Sequence, residues 1–216
     1  NVTSKAFRLL AGNVVRSLQK ERQVQWLSID SIDDWENHLA QVIEMATYKV
    51  PNQKSNDEKE PVVSHKIISK HQDLIQEGYA VGQAVNKART FANQPANILT
   101  TTAFVAQIKT LLKGDARYDV KVITQPQMAK QKMNALLGVG QGSKYPSYLV
   151  DITYKGSTKD HIALIGKGVM FDTGGISIKP SRNMKEMKGD MGGAAAVVAA
   201  AWSAGQLNIK RKISFI

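Results

Sequence analysis

The 216-residue chain contains no cysteine. This excludes a disulfide framework, a thiolate zinc finger and thiolate catalysis. It leaves the redox compartment open. Long apolar runs are also missing. The longest run of small and apolar residues covers 192–201, well short of the ~20 residues that a membrane span needs. The first residues, Asn1-Val2-Thr3-Ser4-Lys5, show no apolar segment of the kind a secretory signal carries. A soluble protein without a membrane partner is expected. No internal repeat is present. At 43% hydrophobic and 22% charged residues the composition is that of an ordinary globular chain, which excludes a mostly disordered one.

Acidic residues are scarce relative to basic ones: 18 Asp and Glu face 29 Lys and Arg, a net charge of +11. The imbalance is local. Residues 1–62 hold 8 basic and 9 acidic side chains, whereas 63–216 hold 21 and 9. Such an excess raises nucleic acid as a partner. The only tight basic run is Lys210-Arg211-Lys212, so a solvated basic surface is the simpler reading.

Periodicity divides the chain. Phe7, Leu9, Leu10, Val14, Val15 and Leu18 form a helical stripe over 5–20, followed by a strand pattern at 23–29. Ser31 is placed to cap a helix that runs to about Met45. Residues 50–61 are polar, charged and aperiodic, and read as a linker. A long helix is expected over 64–91, broken by Asn93-Gln94-Pro95-Ala96-Asn97, and then a helix capped by Thr100 or Thr101 and running to Leu112. Strands at 118–123, 148–154, 161–165 and 212–216 alternate with helices at 126–132 and 190–204. This pattern predicts an α/β fold with a parallel or mixed sheet. Gly138-Val139-Gly140-Gln141-Gly142-Ser143 reads as a tight turn between strands, because it lacks the spacing of a dinucleotide fingerprint. The chain stops in the middle of the apolar strand Ile213-Ser214-Phe215-Ile216, and a fragment of a longer protein is expected.

The densest chemistry lies in 166–196. A strand runs into a glycine-punctuated loop, and ligands of open α/β sheets sit just beyond such strand ends. Lys167, Asp172, Lys179 and Asp190 converge there. A phosphate loop is excluded: Lys167 is followed by Gly168 rather than Ser or Thr, and His161 stands where its first glycine would be. The simpler readings are an ion-pair network, with Lys167 on the surface, Asp172 in a turn and Asp190 as a helix N-cap. Hard oxygen donors beside a neutralised amine would suit a divalent cation.

Three stretches together resemble the leucyl aminopeptidases, dinuclear metalloexopeptidases of the cytosol aminopeptidase type. They are Gly166-Lys167-Gly168 through Phe171-Asp172-Thr173-Gly174-Gly175-Ile176-Ser177-Ile178-Lys179-Pro180-Ser181 to Met187-Lys188-Gly189-Asp190-Met191-Gly192-Gly193-Ala194, the run from Asn93 to Thr100, and the run from Ala135 to Ser143. The resemblance covers 64–216 and is more diffuse over 1–50. It implies the end of an N-terminal α/β domain at 1–50, a linker at 51–62, and at 63–216 the first half of a mixed-sheet α/β catalytic domain with helices on both faces. Lys167 and Asp190 match ligands of one metal ion, and Asp172 matches the carboxylate that bridges two. Lys179 matches the catalytic lysine at the substrate carbonyl, and Met187 a wall of the pocket for the first side chain. The implied reaction is release of N-terminal, apolar residues from peptides by a hydroxide bridging the two ions. Zinc or manganese is implied, with magnesium and cobalt as alternatives and bicarbonate in the complete site. A homohexamer in the cytoplasm is implied as well. Thr173 and Met170 depart from the family pattern at positions that carry no ligand. The family's Asn-Thr-Asp-Ala-Glu-Gly-Arg motif is missing from these residues, so this chain alone is expected to be inactive. The alternative is a non-catalytic relative that acts as a scaffold or binds DNA.

Overall fold

The computed structural model describes residues 3–27, 33–51 and 63–216. They form two compact units divided between Lys87 and Ala88. The linker reading at 51–62 and the capping reading of Ser31 fall almost wholly outside the described residues.

The first unit contains α1 (Ser4–Ser17), β1 (Gln23–Trp26), α2 (Trp35–Thr47), β2 (Ser64–Ile67) and the first part of α3 (Gln72–Asn93). The Thr3 hydroxyl accepts from the Ala6 N–H at 3.3 Å and so caps α1. Val15, Leu39, Ala40, Val42, Ile43, Ile67 and Ile75 make its core. The expected helix start at 64 is wrong. Residues 64–67 pair in parallel with β1, from Gln23↔Ser64 to Trp26↔Ile67. Ile67 and Ile68 fit a strand as well as a helix, and a short apolar run cannot separate the two by period. Pairing with β1 and burial of Ile67 decide it. Ser69 then ends the strand: its hydroxyl accepts from the His71 N–H at 3.1 Å and donates to the buried Glu36 at 2.6 Å.

The second unit begins with the end of α3 and continues through α4 (Thr101–Leu111), β3 (Tyr118–Thr124), α5 (Gln125–Lys130), α6 (Asn134–Gly140), β4 (Tyr148–Tyr154), β5 (His161–Leu164), a 3-10 helix (Met184–Gly189), α7 (Gly192–Gln206) and β6 (Lys212–Phe215). Thr100 caps α4 by accepting from Ala103 N–H at 3.2 Å. The sheet order is β3-β4-β6-β5. The pairs β3–β4 and β4–β6 are antiparallel and β5–β6 is parallel, so the mixed α/β class holds. Ile152, Tyr154, Ile213 and Phe215 project from one face into a core with Phe104 and Ile108 of α4 and Ala195, Val198, Ala201 and Ala204 of α7. The expected turn at 138–143 is corrected: 134–140 is α6, and a turn follows it. Gly138 and Gly140 keep ordinary negative φ. Gly140 is small because Ser147 lies where a Cβ would go, not because the chain reverses there.

Candidate functional site

Strand β5 leaves the sheet at Leu164, and the Gly166 N–H donates to Ile216 O at 2.8 Å. The chain then meets the start of α7. Ala194 N–H donates to Lys167 O at 2.9 Å. A Cβ on Gly166 would sit 2.5 Å from Gly193 O, and one on Gly193 2.9 Å from Lys167 N. The glycines therefore serve a backbone-to-backbone approach. It brings the Lys167 ammonium to 2.8 Å from Asp190 Oδ1.

Between these anchors, residues 171–183 fold back as a loop. Gly174 and Gly175 take φ of +90° and +67°, a conformation that side chains rarely adopt. Asp172 Oδ1 accepts from Gly174 N–H at 2.9 Å, and Lys179 N–H donates to Thr173 O at 2.9 Å. This returns Lys179 to the loop base, where its ammonium lies 2.6 Å from Asp172 Oδ2 and 3.3 Å from Met187 Sδ. All five residues singled out from the sequence thus meet in two linked sets, Lys167 with Asp190 and Lys179 with Asp172 and Met187.

Asp190 does not cap α7. The helix starts at Gly192 with Met191 at its cap position, and Asp190 closes the preceding 3-10 helix, its N–H donating to Met187 O at 3.3 Å. Met191 is fully buried and holds this turn in the core. Asp190 Oδ2 is buried with no hydrogen-bond partner. A buried carboxylate oxygen normally finds a donor, so this atom is the one clear polar deficit of the cluster.

The charges are tightly coupled. The hydrogen bond from Lys179 is the main cause that holds the Asp172 carboxyl below the usual carboxylate range, aided by Gly174 N–H and the Lys167 charge. The Lys167 ammonium is held above the usual lysine value, first by its hydrogen bond to Asp190 and then by the nearby charges of Asp190 and Asp172. Two carboxylates and two ammonium groups balance one another. Among the described residues, no group of three or more His, Cys, Asp or Glu could hold a metal ion. A divalent ion here would have to displace a proton from the Lys167 ammonium; Asp172, Asp190 and the amine so freed would then be an oxygen–nitrogen set of the kind that a hard or borderline ion takes. The orphaned Asp190 Oδ2 supports that fit.

The sequence reading passed over Lys188, whose ammonium donates to the Asn93 carbonyl at 3.3 Å. Its neighbours Lys185 and Glu186 are exposed, and nothing in the spacing distinguishes Lys188 from them.

The family model described as cytosol aminopeptidase family, catalytic domain, matches residues 86–216. A probable cytosol aminopeptidase of Rhizobium meliloti (strain 1021) is 52% identical over 120 residues, which are 55% of this chain and 24% of that protein. One of Sinorhizobium medicae (strain WSM419) is 53% identical over the same length and shares. Among solved structures, the bottromycin maturation enzyme BotP in complex with Mn superposes with a TM-score of 0.87 at 30% identity, over 98% of this chain and 46% of that one. BotP in a second structure gives 0.86 at 29% identity and the same coverage. The chain spans about half the length of these structures, and the aligned segment is about a quarter of the curated relatives.

Proposed function

The chain belongs to the cytosol aminopeptidase family, and from that premise we propose that residues 63–216 are the first part of a metal-dependent aminopeptidase domain. Residues 1–50 are then the end of an N-terminal domain and 51–62 the linker. The observation that carries the metal reading is Asp190 Oδ2, buried and without a partner although Asp190 Oδ1 pairs with Lys167.

Lys167, Asp172 and Asp190 are the residues that would hold divalent metal in this reading. Zinc or manganese suits the donors, and a structural relative in complex with Mn supports the second. When bound, such ions acidify a water for attack on a peptide carbonyl and stabilise the charge that develops there. The chain's own contribution is positional. Lys179 offers a positive donor to the carbonyl oxygen of the first peptide bond. Its contact with the apolar Met187 at Sδ supports an apolar first residue in the substrate.

Three donors cannot fill the coordination of two divalent ions, which take four to six ligands each. Residues 1–216 alone are therefore inactive in this reading, and the remaining carboxylates come from outside them. The homohexamer and the cytoplasmic location belong to the same proposal, the latter supported by the names of the relatives. No helix among the described residues is long and apolar enough to cross a membrane. The basic excess is solvated surface in this reading rather than a DNA site. Arg117 and Arg211 pair with Asp115 and Asp160 at 2.6 and 3.5 Å.

The test uses the complete polypeptide that contains these residues. With Mn2+ or Zn2+ it should release the first residue from a leucyl peptide, and an N-acetylated peptide should be refused. Equal hydrolysis of both peptides would sink the aminopeptidase reading. DNA binding that weakens steeply with salt would favour the alternative.

A further inference from the structure

We propose that Lys188 is a positioning residue, whose ammonium clamps the turn bearing Met187 and Asp190 onto the C-terminal end of α3. The proposal rests on the metal reading above and deepens it. The anchor is the carbonyl of Asn93, the last residue of α3. The final four carbonyls of a helix lack intrahelical partners. They also form the negative end of its dipole, where a cation is favoured. Lys188 meets that carbonyl at 3.3 Å in half-buried surroundings.

The anchor is fixed. Gln94 and Gln107 exchange amide hydrogen bonds at 3.4 and 3.3 Å. Ile98 and Leu99 N–H both donate to Pro95 O at 2.9 Å. Leu99 is buried, and Phe91 packs edge-on against Phe104 with centroids 5.0 Å apart. This gives a role to the run Asn93-Gln94-Pro95-Ala96-Asn97, which bears no group of the ion cluster. It builds the corner on which the turn rests.

Besides the Lys179 contact to Met187 and the Lys167 pair to Asp190, the turn faces solvent on this side. Lys185 and Glu186 point to solvent, and a Cβ on Gly189 would meet nothing within 4 Å. Met191 pins the turn from its far end. Asp190 lies between Met191 and Lys188, so its carboxylate is placed by two fixed points rather than one. Loss of the Lys188 point frees the turn and lets Asp190 drift from Lys167.

The experiment is a Mn2+ titration, read by the electron paramagnetic resonance of free Mn2+, on the complete polypeptide and its K188M, K188R and D190N variants. Outer-shell partners of metal ligands typically change affinity about 10- to 100-fold. K188M is expected to weaken Mn2+ binding by that factor with an unchanged thermal midpoint, and K188R to restore it to within a few-fold. Wild-type affinity in K188M, or no recovery in K188R, overturns the proposal. Should K188M fail to fold, K188A replaces it, and equal affinity in K188A and K188R overturns the proposal equally. D190N separates the two readings. Wild-type Mn2+ binding in D190N sinks the metal site itself, whereas a D190N loss beside an unaffected K188M sinks only the clamp.

Discussion

Gly166 lies so close to Gly193 that a Cβ on the first would sit 2.5 Å from the carbonyl oxygen of the second and 2.7 Å from Ala194 N. The obstacle is backbone, which cannot swing aside as a side-chain end can. Gly166→Ala must therefore push the Lys167 loop away from α7 and strain the Ala194–Lys167 backbone bond. Overpacking of this kind costs about 1–3 kcal/mol. The expected outcome is a lower urea midpoint together with weaker metal binding, because Lys167 and Asp190 are carried by the two separated elements. Gly142→Ala, which meets nothing within 4 Å, should leave both quantities unchanged. Equal midpoints for the two variants would show that the approach is not under strain.

The two ion pairs of the cluster predict different losses. Asp172→Ala removes a carboxylate that pairs with Lys179 and feels the Lys167 charge. Metal content and hydrolysis should fall together. In the proposed reading Lys179→Ala removes a donor and no ligand, so turnover should drop by about 10²–10³, the usual cost of losing an oxyanion donor, while metal content stays near the wild-type value. Metal analysis of the purified variants beside kcat checks both. Stoichiometric loss of metal in the Lys179 variant would contradict its assigned role.

Tyr118 predicts how stability depends on alkaline pH. Its hydroxyl donates to Ala201 O at 2.6 Å, and burial pushes its pKa up to about 12 from 10. The raised value means that folding favours the neutral, protonated form. The associated stability is fully present below about pH 10 and lost as pH rises through 10 to 12. The wild type should lose thermal midpoint over that window more steeply than Tyr118→Phe. Below the window the variant should be less stable by about 1 kcal/mol, the usual worth of a hydrogen bond. Parallel midpoint curves from pH 8 to 12 would show that Tyr118 does not carry this dependence.

Much of this was legible in the residues, and the exceptions have physical causes. Thr100 announced α4 because its hydroxyl acts on a donor three residues away, and local chemistry is written in local sequence. The alternation of strands and helices predicted the α/β class but left a parallel or a mixed sheet open, because strand direction is decided by partners distant in sequence. Strand β2 was misread because Ile67 and Ile68 satisfy both periods, and its partner β1 lies some forty residues earlier. Helix α6 was misread because its glycines suggested a turn, whereas Gly140 is small to admit Ser147. In the cluster, the family-like spacing singled out Lys167, Asp172, Lys179, Met187 and Asp190. It could not say that Lys167 would pair with Asp190, or that Asp190 Oδ2 would be left alone. Lys188 stayed hidden because its partner, Asn93, is contributed as a backbone carbonyl, and any residue type supplies one.

Gly78 offers a prediction in which two effects of opposite sign compete. It lies inside α3, where glycine costs roughly 1 kcal/mol relative to alanine. On an exposed helix face, Gly78→Ala would therefore stabilise. Here a Cβ would meet Ala40 Cβ at 2.8 Å and the Asn37 Cα at 2.9 Å, with the Asn37 carbonyl closer still. The backbone of α2 fills the space, and Ala40 itself is fully buried, so neither neighbour can give way without moving the helix. The packing penalty of about 1–3 kcal/mol should exceed the gain in helix propensity, and Gly78→Ala should lower the urea midpoint. Gly82 is a less crowded case of the same contact, because the Glu44 Cβ lies at 2.6 Å and its backbone neighbour, the Gln41 carbonyl oxygen, only at 3.0 Å. Gly82→Ala should be the milder of the two. A rise in midpoint for Gly78→Ala would mean that α2 yields, and that the contact between these helices is looser than its distances imply.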